Sequence, residues 1–538
     1  MQEQPNNQFG GMLATIDRLI RSVAGKTSTA WLIRSFFSAA AIVFALLALR
    51  FSLAARPLID GVDFYLVILY ARDLAHGAAD IPLSRYIYFP GIYTFWKAAY
   101  VAVDGSLPGM QWAYVGLLIG NGLLTGAILA TVTANWQAGL LAATLYLMEG
   151  SRIESLYGCA EPVATLPYLL GLWSWLLLSR RESKTAGMLA LATGFGLALY
   201  TKQQGGLLAL GAVGLLPALK YADPPDKYTP RQWLLIPLVS VAVFAGAMWL
   251  EGGGVPAATY GLRFAAIYPP EGSWDDHLKR AWEMTQPVSN FLPAGIAVCL
   301  VGWRYRDRLP LLPPSSLLLI GISIGSVLGG LAQFSKRGYL HYALLLLPSL
   351  LLIAGLTIDA LVRWLAPALR HSHGTVRSAA VAGAVALLLV HAPGTPAFVQ
   401  HVTAQFDAPT KPAGFTERIK ETFPPLCRHV PPDSDLLLVP SREQVIHWMC
   451  GTRAVTFQPG YAWWSLSPAP YLEALASPGL AYVFLFSDQA GPYERQFFLE
   501  NGRSRMEEEL KRLGFREAFS FEGGTLYRKP DAKGSPSG

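Results

Sequence analysis

Two acids three residues apart, Asp60 and Asp63, open the stretch DGVDFYLVILYARDLAHG. On a helix that spacing puts both on one face. A carboxylate held at a half-dry boundary can take a proton from a hydroxyl and turn it into a nucleophile. The same pair also reads as a helix N-terminal cap followed by an exposed acid, which needs no chemistry. Cations supply the complementary half. Lys202 sits in LYTKQQGG, and Lys336, Arg337 and His341 sit in QFSKRGYLHY, with Arg337 and His341 one helical turn apart. Grouped cations of this kind suit the phosphate of an anionic lipid, and they would stabilise charge growing on a leaving phosphate.

The elements that must hold these residues are membrane spans. Charged residues make up 15% of the 538-residue chain and hydrophobic ones 52%, against about 25% charged in an average soluble domain. The mean hydropathy is +0.33. A purely soluble enzyme, a disordered chain and a disulfide scaffold are excluded. Apolar runs lie at about 36–55, 109–132, 137–149, 161–179, 186–200, 204–219, 232–251, 286–303, 314–332, 339–361 and 377–394. The expected fold class is an α-helical polytopic membrane protein of about eleven transmembrane helices with a small C-terminal α/β extracytoplasmic domain. The first run begins far from the N-terminus and is followed by Arg56-Pro57, which reads as a retained anchor.

Basic residues set the orientation. Arg18, Arg21, Lys26 and Arg34, then Arg180, Arg181 and Lys184, then Lys220, Lys227 and Arg231, then Arg304, Arg306 and Arg308 fall on one side of the spans. The positive-inside rule makes that side cytoplasmic, with the N-terminus inside. The net charge of +7 is therefore a matter of topology, and no nucleic-acid partner is expected. Lys202, Lys336, Arg337 and His341 then lie at outer span ends, where cations are disfavoured unless they have work to do. The first outer loop, 56–108, reads as an interfacial helix followed by an aromatic segment, RYIYFPGIYTFW, suited to the headgroup zone. Tyr65, Tyr88 and Tyr93 in this loop could line a sugar or isoprenoid groove, or serve as ordinary interfacial aromatics. Three parts follow: a cytoplasmic segment 1–35, a membrane part 36–394, and an outer α/β domain 395–538 with a polar tail. In the last part, short strands are expected at 435–439, 453–457 and 481–486 and a helix at 503–513. Cys427 and Cys450 could be bridged there, and their pairing stays open. A further acidic cluster, EGSWDDH at 271–277, reads first as a solvated loop.

Five motifs in this order resemble those of the GT-C membrane glycosyltransferases. They are D-x-Y-x(4)-Y-A-R-D-L-A-x-G after the first span, the aromatic-Pro segment YFPGIY, the acid-Pro of CAEPVATLPYLLG, LYTKQQGGLLAL, and RGYLHYALLLLP. The likeness covers about 55–365 and is strongest to the bacterial branch that includes the aminoarabinose lipid A transferase and the protein-mannosyltransferase-like enzymes. It implies an integral enzyme of the bacterial inner membrane that moves a sugar, with inversion, from a polyprenyl-phosphate carrier to a glycan, lipid or protein acceptor on the outer face. On that resemblance Asp63 is the motif acid, with Asp60 as the alternate. Glu161 holds the acid-Pro position as a substrate-site residue, and Lys202, Lys336, Arg337 and His341 hold the donor phosphate. Where aminoarabinose-type relatives carry a second acid before the prolines, this chain reads Tyr88-Phe89-Pro90-Gly91. A divalent metal is compatible with the loop acids but not required by the sequence. The competing classes are a transporter or flippase of polyprenyl-linked sugars, an O-antigen polymerase or ligase, and a non-catalytic scaffold. A transporter needs ionisable residues near mid-membrane, and here the charges gather at one boundary.

Overall fold

The structure is a computed structural model that describes residues 27–56, 59, 61–76, 88–153, 158–180, 183–216, 229–251, 259, 272–286, 288–305, 312–335, 339–365, 421–439, 445–455, 474–477, 479–487 and 503–530. Asp60, Lys336, Arg337, Glu271, the apolar run 377–394 and the C-terminal tail lie outside the described residues.

The helical part runs α1 (Thr27–Ala54), α2 (Val62–Ala75), α3 (Pro90–Ala102), α4 (Leu107–Thr133), α5 (Trp136–Arg152), α6 (Glu161–Arg180) and α7 (Lys184–Thr201). It continues through α8 (Pro230–Leu250), α9 (Trp274–Met284), α10 (Phe291–Arg304), α11 (Pro314–Leu331) and α12 (Leu347–Leu365). Every apolar run up to Leu361 is helical where it is described. Leu107–Thr133, Glu161–Ser179, Pro230–Leu250 and Pro314–Phe334 are each long and apolar enough to cross a bilayer. The protein is a multi-pass membrane protein. Consecutive helices pair in space, α4 with α5, α6 with α7, and α7 with α8.

Two expected α-spans are wound differently. Gln203–Leu215 is a 3₁₀ helix, and the last described apolar run starts as 3₁₀ at Leu340–Leu345 before α12. In the first, QQGGLLALGAVGL is rich in glycine and lies flush on α11; a Cβ at Gly214 would fall 1.8 Å from the Gly321 carbonyl oxygen. Close backbone approach of this kind is how helices associate without a hydrophobic driving force between them.

The first-loop helix also differs from expectation. An amphipathic helix lying in the interface should show a wet face. Instead Phe64 to Ala71 of α2 are all buried, with Asp63 half-buried at the start. A helix that is apolar all round belongs in a core. Its cover comes from α3, α4 and the C-terminal part of the chain, with which it shares one continuous apolar core.

That C-terminal part comprises α13 (Pro424–His429), β1 (Asp435–Val439), α14 (Val445–Cys450), β2 (Arg453–Ala454), β3 (Tyr482–Phe486), α15 (Arg503–Arg512), β4 (Arg516–Phe521) and β5 (Gly524–Arg528). The strands form one sheet in the order β2-β1-β3-β5-β4, parallel across the first three and antiparallel at β5 and β4. β1 and β3 are covered on both faces, as near-continuous apolar runs require. Leu436, Leu438, Tyr482, Phe484 and Phe486 face the core shared with α2. Leu437, Val439, Val483 and Leu485 face the other way, onto Met506 and Leu510 of α15. The pleat thus splits each strand between two layers. A disulfide joins Cys427 of α13 to Cys450 of α14. The β4–β5 hairpin was not among the expected strands, although EAFSFEGGTLYR carries both the alternation and the turn glycines.

His447 of α14 is fully buried where the sheet unit meets α2, and its Nδ1 lies 3.0 Å from the Thr452 hydroxyl. Burial, and then the Arg72 charge, push its pKa down to about 3. The folded chain keeps the ring neutral, whereas the unfolded chain protonates it below about pH 6.5. Stability from this site is therefore full above about pH 6.5 and is lost as the pH falls toward 3. Between pH 7.5 and pH 5 the loss is expected to be roughly 2 kcal/mol. Melting followed over that range in detergent should show it, and His447→Asn should flatten it.

Candidate active site

Lys202 ends α7 in an extended conformation, and its N–H still bonds the Ala198 carbonyl at 3.1 Å. Glu161 is the first residue of α6, where the helix dipole favours an anion. Because α6 and α7 are antiparallel partners, the start of one meets the end of the other. There the Lys202 ammonium and a Glu161 carboxylate oxygen form an ion pair, with Lys202 2% and Glu161 0% exposed. Such a pair persists in a dry site only because each charge compensates the other. The second Glu161 oxygen, Oε2, has no hydrogen-bond partner among the described residues.

Aromatic rings close around the ammonium. Its Nζ lies 5.2 Å from the Tyr88 ring centroid and 5.5 Å from that of Tyr342, within the range of cation–π attraction. His341 stacks on Tyr339 at 5.4 Å and meets Tyr342, one of the rings over the Lys202 ammonium, edge-on at 5.0 Å. The Gln333 side chain donates to the Tyr342 carbonyl at 2.8 Å and fixes this turn.

Asp63 reaches the same neighbourhood from α2. The link is the short segment Gly158-Cys159-Ala160 that leads into α6, because Phe64, the residue after Asp63, presses on Gly158, three residues before Glu161. Tyr114 of α4 donates to the Cys159 carbonyl at 3.3 Å, and Asn121 to the Pro162 carbonyl at 2.8 Å. Gly158 has φ +75°, and a Cβ there would lie 2.3 Å from the Phe64 Cβ. Only glycine lets the segment press on the first turn of α2 in that conformation. Gly158→Ala is expected to destabilise the protein by roughly 1–3 kcal/mol, read as a lower Tm in detergent, and to shift the first turn of α2, which carries Asp63.

The sequence-derived candidates therefore separate. Glu161, Lys202, Tyr88 and, through Tyr342, His341 gather at one end of the bundle, and Asp63 stands on the turn of α2 that presses on Gly158 beside them. Tyr65 and Tyr93, at 2% and 1% exposure, are packed into the core instead of along a groove. Tyr93 serves by stacking near Tyr70, at 4.8 Å, and by accepting the Tyr88 N–H at 3.3 Å. The acids of the 271–277 cluster behave as a solvated helix start. Asp275 and Asp276 are exposed in the first turn of α9, the Ser273 hydroxyl caps the Asp276 N–H at 3.1 Å, and His277 is buried with Nδ1 2.8 Å from the Phe334 carbonyl. Among the described residues no three His, Cys, Asp or Glu side chains come together as metal ligands. Sequence reasoning missed Tyr342, Asn121 and Tyr114. The first stands beside His341 in a motif already singled out; the other two look like ordinary residues of an apolar span.

No protein-family profile matches the chain, and no curated protein does. Among solved structures it is similar to ArnT from Cupriavidus metallidurans in the apo state, with a TM-score of 0.54 and 14% identity over 93% of this chain and 98% of that one. A match over nearly the whole of both chains gives the chain an ArnT-like fold.

Proposed function

We propose that the chain is an inverting glycosyltransferase that takes a sugar from a polyprenyl-phosphate carrier and passes it to an acceptor hydroxyl at the outer face of the bacterial inner membrane. The observation that carries this reading is the buried Lys202, held by Glu161 and roofed by Tyr88 and Tyr342, with Asp63 on the α2 turn packed against the segment that leads into Glu161. An ammonium engaged by one carboxylate oxygen keeps donors for a phosphate. As the anomeric carbon–oxygen bond breaks, negative charge gathers on the departing polyprenyl phosphate, and Lys202, with His341, offsets it from fixed positions. Meanwhile the acceptor oxygen bonds to the anomeric carbon from the opposite face, and its proton passes to the Asp63 carboxylate. Glu161 Oε2 can accept a hydrogen bond from a sugar hydroxyl. The sheet unit stands on the same side as the site, with the N-terminus cytoplasmic. Lys336, Arg337 and Asp60 complete the phosphate and acid sets.

The test is release of polyprenyl phosphate by the purified protein in detergent, from a panel of polyprenyl-phosphate sugars with cell-envelope extract as acceptor. Acceptor-dependent release is expected. Passage of intact donor across a proteoliposome membrane without release would replace this reading with a transporter.

A further inference from the structure

We infer that Arg72 is a positioning residue for Asp63 and that the sheet unit, through it, is a working part of the site; the inference rests on the role given to Asp63 above. Arg72 lies nine residues after Asp63 on α2, about 13 Å along the axis. Its side chain is 11% exposed. Nη2 donates to the Thr452 carbonyl at 2.7 Å, Nη1 to the His447 carbonyl at 3.4 Å, and Nε to Asp73 Oδ1 at 3.1 Å. The guanidinium carbon sits 5.8 Å from the Trp448 ring centroid.

Both carbonyls belong to the sheet unit, that of His447 in α14 and that of Thr452 in the turn from α14 to β2. The turn is closed by its own bond, Thr452 N–H to the His447 carbonyl at 3.0 Å, and lies next to the Cys427–Cys450 disulfide. A planar guanidinium fork reading two carbonyls of a fixed turn sets orientation as well as attraction. The other end of α2 has no side-chain cap, and its seating comes from Phe64 pressed on Gly158. Between these ends the apolar run Phe64–Ala71 is packed in the shared core, so the directional polar hold on α2 comes from the sheet unit. The helix is stiff, so freeing the Arg72 end lets α2 turn or slide as a unit within its cover, and the first turn that carries Asp63 moves with it. A displacement near 1 Å is enough to lower a rate about 10²-fold.

The experiment uses the full chain in detergent, with Arg72→Ala and Arg72→Lys made alone and in the Asp63→Asn background. Arg72→Ala is expected to lower kcat for polyprenyl phosphate release by about 10- to 10²-fold, with KM for the donor within about twofold. Arg72→Lys, which keeps the charge and loses the fork, falls between. In the Asp63→Asn background the Arg72 change should alter the residual rate less than about twofold, because there is no base left to misplace. Amide exchange over 61–70 should rise in Arg72→Ala. Unchanged kcat in Arg72→Ala, an equal fall in both backgrounds, or unchanged exchange over 61–70 would overturn the inference. If the parent protein releases nothing from any donor, the transfer reading fails and the exchange measurement alone decides the coupling.

Discussion

Lys202→Met is expected to lower the rate of sugar transfer by about 10²- to 10³-fold, the usual effect of removing one preorganised donor from a developing anion. The change also strands Glu161, a fully buried carboxylate, without its counter-charge. Breaking a buried pair from one side typically destabilises by roughly 3–5 kcal/mol, so the single variant should melt well below the parent. Loss of activity alone would then be ambiguous. The Glu161→Gln/Lys202→Met double variant separates the two effects, because it removes both charges and keeps similar volumes. Its Tm in detergent is expected to return close to the parent value, since replacing a whole buried pair is often neutral. Its transfer rate is expected to stay down with the single variant. Recovery of transfer in the double variant would show that the pair only holds the bundle together and that the phosphate is bound elsewhere.

The legible parts of this molecule were those in which a short stretch of sequence carries its own reason. An acid followed by proline at the start of an apolar run, and a lysine at the end of the next one, already place Glu161 and Lys202 at the same end of an antiparallel helix pair. The strand at 435–439 was readable because its apolar run is short and bounded, and the structure has it at Asp435–Val439. What failed was long-range. FYLVILYA looks like the apolar face of an interfacial helix, because nothing near it in the chain says that α14 will cover it from 375 residues away, through Arg72 and His447. The same distance hides the division among the tyrosines. Tyr65, Tyr88 and Tyr93 carry identical chemistry in one loop, and only the packing sends two of them inward and leaves Tyr88 against the Lys202 ammonium. The 3₁₀ winding of Gln203–Leu215 was likewise hidden, because the segment's own glycines matter only where they meet those of α11.

Asp63→Asn is expected to lower transfer by about 10²- to 10⁴-fold, the range usual for a general base, while leaving the fold nearly intact. The stability argument is local. Asp63 is half-buried in the first turn of α2, and its favourable interaction with the helix dipole is worth roughly 0.3–1 kcal/mol. Asparagine keeps the shape and a hydrogen-bonding oxygen, so a small drop in Tm is expected and a large one is not. This contrasts with Lys202, where loss of rate and loss of stability arrive together. The pH profile sharpens the assignment. If Asp63 takes the acceptor proton, the parent rate falls on the acid side as the carboxylate is protonated, and that limb disappears from the residual rate of Asp63→Asn. Glu161 is the rival acid, but one of its oxygens is already committed to Lys202. Glu161→Gln should therefore change stability and donor binding while keeping the acid limb. An acid limb that survives in Asp63→Asn and vanishes in Glu161→Gln would exchange their roles, making Glu161 the base and Asp63 the group that orders the first turn of α2.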